Sequence, residues 1–98
     1  MDKAIHLILC HKWYDMIASG EKTEEYRDLN MFYTNKFFVQ HEDGSSEPNK
    51  NITSVIFHRG YTKTQMKFKI DEIMIGYGKP EWGAPKKPVF IIKLGGRL

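Results

Sequence analysis

From Ile5 to Leu9 apolar side chains stand at every second position with His6 and Ile8 between them, the two-residue period of a β-strand. Because Ile8 is apolar as well, both faces of this strand are expected to be at least partly covered. From His11 the period lengthens: Trp13, Met16 and Ile17 recur at helical spacing, and Gly20 stands where a helix closes in a left-handed cap. The pattern predicts a short helix over residues 11–19. After Gly20 an alternation returns, placing Thr23, Glu25 and Arg27 on one face of a second strand and Glu24 and Tyr26 on the other.

Residues 31–38, "MFYTNKFF", carry aromatics at 32, 33, 37 and 38, spaced for one side of a helical segment that packs over a sheet. Residues 40–51, "QHEDGSSEPNKN", are polar and rich in turn formers, which predicts a flexible loop. Three further strands follow, at 53–58, 66–77 and 89–94. In the second of these, Met66, Phe68 and Ile70 keep one phase, Glu72 breaks it, and Ile73, Ile75 and Tyr77 resume it one residue later. Such a shift is what a bulge or a barrel corner produces. Five or so strands with a short early helix and a second helical segment give a mainly β, α+β fold. A small, closed or nearly closed β-barrel with helical plugs is expected, with an open α+β sheet as the alternative.

Length adds that the 98 residues form a single domain, 1–98, able to bury about 60–65% of the unfolded chain's surface in one core. Hydrophobic residues at 41% and aromatics at 13% are enough to pack that core, so disorder is confined to local segments. The apolar run at 4–9 is too short to cross a membrane and lacks the flanks of a signal peptide, which predicts a protein without a membrane partner. A lone cysteine, Cys10, forms no internal disulfide, and the expectation is a reducing, cytoplasmic setting. Cys10 itself reads as a buried apolar cysteine in preference to a nucleophile.

Net charge is +3, but it is uneven: residues 1–48 hold five Lys/Arg against nine Asp/Glu, and residues 49–98 hold ten against three. The second half therefore offers a positive surface suited to phosphate, although ordinary solubility accounts for such an imbalance as well.

The candidate chemistry starts at "GEKTEEYR". Lys22 stands at the turn into the second strand, within reach of a phosphate or a carbonyl. Glu25 and Arg27, two apart, point into the same space. Arg27 offers a planar fork for phosphate or a base edge, and Glu25 an acceptor for an exocyclic amine or a general base for water. The same three residues also suit an ion cluster that closes the barrel end. Glu21 and Glu24 are expected to face solvent. Arg59, Gly60 and Tyr61 follow a strand directly, where a glycine turn lets backbone amides approach a ligand and an aromatic stacks on a base, or where a plain β-turn carries a surface tyrosine. Trp82 lies among Lys79, Lys86 and Lys87, a mixture that suits single-stranded nucleic acid, or it caps the core from a loop. His6, His11, His41 and His58 show no metal-ligand spacing with one another or with Cys10, so no metal is expected, and His58 retains a proton-transfer option. No P-loop or dinucleotide fingerprint is present, and no cofactor is implied.

Gly20, Lys22, Glu25 and Arg27 match the G-x-K-x-x-E-x-R signature of the ASCH domain, the activating signal cointegrator homology domain. "FHRGY", "GYG", "WGA" and the final "IIKLG" strand resemble its small phage and bacterial members. The resemblance implies a PUA-like β-barrel with a cleft lined by Lys22, Glu25 and Arg27, binding RNA, a nucleotide or a modified nucleoside. One enzymatic branch is an N4-acetylcytidine amidohydrolase that uses the motif lysine and a threonine nucleophile. Here Glu25 stands in the threonine's place, so Lys22 and Glu25 are candidate catalytic residues only as activator and general base of a different hydrolytic step.

Overall fold

In the computed structural model, which describes residues 2–98, the chain runs through β1 (Lys3–Leu9), α1 (His11–Ala18), β2 (Glu24–Arg27) and α2 (Met31–Phe37). It continues through β3 (Phe38–Gln40), β4 (Ser46–Pro48), β5 (Ile52–Arg59), β6 (Gln65–Gly76), a 3-10 turn at Pro80–Trp82 and β7 (Val89–Arg97). Five strands form one curled half-barrel sheet in the order β1-β5-β6-β7-β2, and β3 and β4 form a separate small hairpin. The mainly β, α+β class expected from the periodicity is the class observed.

β1 and β5 run parallel and the other pairings are antiparallel. Val55 and Phe57 on β5 are fully buried, and with Leu7, Leu9, Ile17, Phe37, Phe90 and Ile92 they make the main core inside the curl. Removing one such side chain from water contributes about 1.5–3 kcal/mol. α1 supplies Tyr14 and Ile17 to this core, and α2 supplies Phe37, whose ring meets Phe90 edge to face at 5.0 Å. A second, smaller cluster of Tyr26, Ala84, Val89 and Ile91, with Trp82 against it, covers the other face of β2 and β7.

The phase shift in β6 is real: its register against β7 slips between Phe68 and Ile70 and again between Ile70 and Glu72. Beyond it the strand runs out of cover, so Ile75 and Tyr77, although they keep the resumed apolar phase, are exposed. β1 also differs from expectation. Ile5, Leu7 and Leu9 are buried, but His6 and Ile8 face solvent, because β1 is an edge strand with helices on its inner side only. Cys10, read as buried, is exposed at the N-cap of α1, one residue past the strand that would have buried it.

Of the four aromatics in 31–38, Phe37 is buried and Tyr33 and Phe38 pack against the core, but Phe32 is exposed, since Tyr33 and Phe37 share a helix face that Phe32 leaves by 100°. The segment read as a loop, 40–51, holds β4 and the last residue of β3, joined through Gly44 at φ +90° with Asp43 accepting from the Ser45 amide. Strands of three residues without apolar alternation leave no periodic signal to find. The half-barrel is not closed by hydrogen-bonded strands: β1 and β2 are its two edges. A side chain bridges them, with Arg27 of β2 donating from Nη2 to the Ile8 carbonyl of β1 at 3.1 Å.

Candidate functional site

Gly20, at φ +87°, ends α1 in the left-handed region that a Cβ disfavours. Its N–H donates to the Ile17 carbonyl at 3.1 Å, and the Lys22 N–H reaches back to the Met16 carbonyl at 3.0 Å. This turn anchors Lys22 to the helix and sends its side chain inward, where the residue is 1% exposed. The ammonium donates to the Trp82 carbonyl at 2.8 Å, pairs with Glu25 Oε1 at 3.3 Å and stands 4.6 Å from the Tyr26 ring centroid. Burial pulls the ammonium below its ordinary value; Glu25, beside it, works in the opposite direction.

Glu25 divides its carboxylate between two cations. Oε1 faces Lys22, and Oε2 accepts from Arg27 Nη2 at 2.8 Å. Arg27 Nη1 donates to the Tyr33 hydroxyl at 3.2 Å, which ties β2 to α2 as well as to β1. The third guanidinium nitrogen, Arg27 Nε, is buried and finds no protein acceptor.

The structure brings the three motif residues together, and it turns them onto one another. Their side chains are 0%, 8% and 18% exposed for Lys22, Glu25 and Arg27, so Arg27 alone presents an appreciable edge to solvent. Thr23 precedes the strand and is exposed. Glu21 is exposed as expected, but Glu24 is half-buried and accepts from the Tyr26 hydroxyl at 2.8 Å. That hydroxyl in turn accepts from the Lys79 N–H at 3.0 Å, and burial raises the Tyr26 phenol well above its ordinary range. Gly78 follows from this packing: a Cβ there would overlap the Tyr26 ring.

The other candidates lie elsewhere. Arg59 forms a two-pronged ion pair with Asp15 on α1, at 2.9 and 3.0 Å, which lowers the Asp15 carboxyl and raises the Arg59 guanidinium. Gly60, at φ +59°, donates its N–H to the Leu9 carbonyl at 2.7 Å, so that amide is spent inside the fold. Tyr61 is 96% exposed. Trp82 packs its ring against the smaller core cluster with the Lys79 ammonium 4.2 Å from the ring centroid, and its carbonyl holds Lys22.

One pair escaped the spacing argument. His6 Nδ1 and His58 Nε2, 52 residues apart in sequence, lie 2.9 Å apart with ring centroids at 5.2 Å. Parallel pairing of β1 with β5 places both on the outer sheet face, a pairing no local pattern reveals. His6, Ile8, His58, Gly60, Tyr61 and Thr62 line a depression of about 350 Å³ there. Among the described residues no group of three or more His, Cys, Asp or Glu side chains is placed to hold a metal ion.

No family profile matches the chain, and neither curated proteins nor solved structures give a match. The motif cluster can brace the two edges of the half-barrel and present one guanidinium edge; the outer face can present rings. No helix among the described residues is long and apolar enough to cross a membrane.

Proposed function

We propose that the protein is an RNA- or nucleotide-binding module of the ASCH, PUA-like type, with Arg27 as the motif's contact to ligand. The observation that carries this is the unspent donor. A buried N–H without an acceptor costs about 1–3 kcal/mol, and Arg27 Nε stands in that condition on the most exposed of the three motif side chains. A phosphate or base oxygen satisfies it once the exposed edge of the guanidinium turns to the rim, and the planar fork suits such an acceptor. Glu25, saturated by two cations, holds the guanidinium in place.

The test is affinity for a short oligouridylate and for cytidine nucleotides at fixed salt, with folding checked by circular dichroism. Arg27→Ala is expected to weaken binding about tenfold or more, and Arg27→Lys, which keeps the charge but not the fork, to restore it only in part. Unchanged affinity in a folded Arg27→Ala or Arg27→Lys protein would overturn the reading.

A second reading, a hydrolase acting on an acylated nucleoside or on RNA, draws on the lowered Lys22 ammonium, the property expected of an activated lysine. Burial argues against it, because an acyl carbon must reach an amine that is 0% exposed in its side chain. Release of acetate from N4-acetylcytidine by the wild-type protein, lost in Lys22→Met, would favour it over binding alone.

A further inference from the structure

The outer face of β1, β5 and β6 carries a second arrangement, built from residues remote from the motif. Strand pairing sets three rows across it: Ala4, Ser54 and Lys69; His6, Ile56 and Lys67; Ile8, His58 and Gln65. Lys67 and Lys69 are exposed and lie about 6.6 Å apart along the strand. Together with Lys3, Thr53 and Ser54 they line a cavity of about 470 Å³, with Asp2 the single acidic side chain among its lining residues. Lys67 also lines an adjoining cavity of about 270 Å³ with Arg97. Among the described residues none of Lys3, Lys67, Lys69 or Arg97 takes part in an ion pair, whereas Lys22, Arg27, Arg59 and Lys87 do.

Toward the other end of the same strands, reaching into the middle row at His6, lies the depression formed by the His6–His58 pair and Tyr61. Four residues of β5, about 13 Å at strand rise, separate the basic row at Ser54 from the ring row at His58. Cations without partners at one end and open ring faces at the other are complementary to a chain that alternates phosphates with flat bases. A single phosphate or a mononucleotide reaches one end only. A duplex hides its bases from the rings, and an acidic peptide makes no use of them.

We propose that this outer face, together with the two cavities at its end, binds a single-stranded nucleic acid, with Lys67 and Lys69 on the face and Lys3 and Arg97 in the cavities following the phosphates, and Tyr61 with the histidine pair stacking a base. The inference deepens the nucleic-acid reading above and shares its ligand class, but it uses none of the motif residues.

The probes are a twelve-residue oligouridylate, oligothymidylate of equal length, a DNA duplex and heparin, measured by anisotropy or competition over a salt series. Lys67→Glu with Lys69→Glu is expected to weaken oligouridylate binding at least tenfold and to reduce the slope of log affinity against log salt by about 1.4, since each single-strand phosphate contact contributes about 0.7. Tyr61→Ala is expected to cost roughly tenfold with the slope unchanged, as lost stacking does. The comparison of oligouridylate with oligothymidylate reads which sugar the face prefers, and binding of either with these signatures supports the proposal. Lys12→Glu with Lys86→Glu makes the same charge change elsewhere and should cost less than threefold.

Wild-type affinity in the Lys67 and Lys69 double variant, an equal loss in the Lys12 and Lys86 control, or heparin and duplex binding as tight as the single strand and indifferent to Tyr61 would each overturn it. If Arg27→Ala weakens binding and the Lys67 and Lys69 variant does not, the outer face falls and the motif reading stands. The reverse pattern removes Arg27 and keeps the face.

Discussion

Two groups of cations in this molecule have opposite fates. Lys22 and Arg27 are drawn into the fold around Glu25, with hydrogen bonds to the Trp82 carbonyl, the Ile8 carbonyl and the Tyr33 hydroxyl. Lys67 and Lys69 on the sheet's outer face, with Lys3 and Arg97 beside them around two adjoining cavities, are exposed, and among the described residues none of the four forms an ion pair. In the group that is dense in sequence only one edge of Arg27 is left unspent, and the group that is dispersed in sequence is left wholly available. A charge is available to a ligand only insofar as the fold has not already neutralised and dried it.

The contrast is broken or sharpened most strongly at Glu25. Glu25→Ala leaves the buried Lys22 ammonium without its carboxylate and Arg27 without its anchor. A loss of about 3–5 kcal/mol in unfolding free energy, read by denaturant titration, is expected. A loss below about 1 kcal/mol would mean that the cluster is not the brace described here.

Lys22→Met gives a smaller effect with a diagnostic pH dependence. It removes the bond to the Trp82 carbonyl but leaves Glu25 paired with Arg27, so about 1–2 kcal/mol is expected at neutral pH. In the wild type, burial holds the folded-state pKa of Lys22 below its ordinary 10.5, so on the way up to that pH the unfolded chain binds the proton more tightly than the folded one. Stability then rises with pH toward 10.5 from this group, and the difference between wild type and Lys22→Met should widen over that window. Tyr26 acts in the other direction. Its raised folded-state pKa means that above its ordinary 10.0 the folded protein retains a proton the unfolded chain has released, and stability falls. Both proteins keep that falling limb, so only their difference reports Lys22.

The smallest effect belongs to the outer face. Lys67→Glu with Lys69→Glu removes no ion pair and no packing, so stability should change by less than about 0.5 kcal/mol per site. The same double variant that weakens nucleic-acid binding is therefore expected to melt like the wild type. A large stability loss there would make the two regions alike and remove the distinction.

Much of the fold was legible because periodicity is a local record of burial. Ile5, Leu7 and Leu9, the helix that ends at Gly20, and the slip at Glu72 each declare themselves within a few residues. The candidate site was legible in part: the strand alternation placed Glu25 and Arg27 on a common face, and Gly20 placed Lys22 beside them. Alternation says which face a side chain takes but not what stands opposite, so it left the choice between a cleft and an ion cluster open. The cover over Ile8 was misread for the same reason, since an edge strand and a central strand carry similar local patterns, and the burial of Cys10 because the residue lies one position past that strand.

By itself the sequence determined the strand and helix phases, the left-handed turn at Gly20 and the uneven distribution of charge, because each depends on a residue and its near neighbours. Tertiary structure alone decided that Lys22, Glu25 and Arg27 close on one another. It also decided that His6 meets His58, and that Lys3, Lys67 and Lys69 share one surface. Each of these depends on which strands pair and how far the sheet curls, and the free energy that settles pairing comes from contacts between residues tens of positions apart.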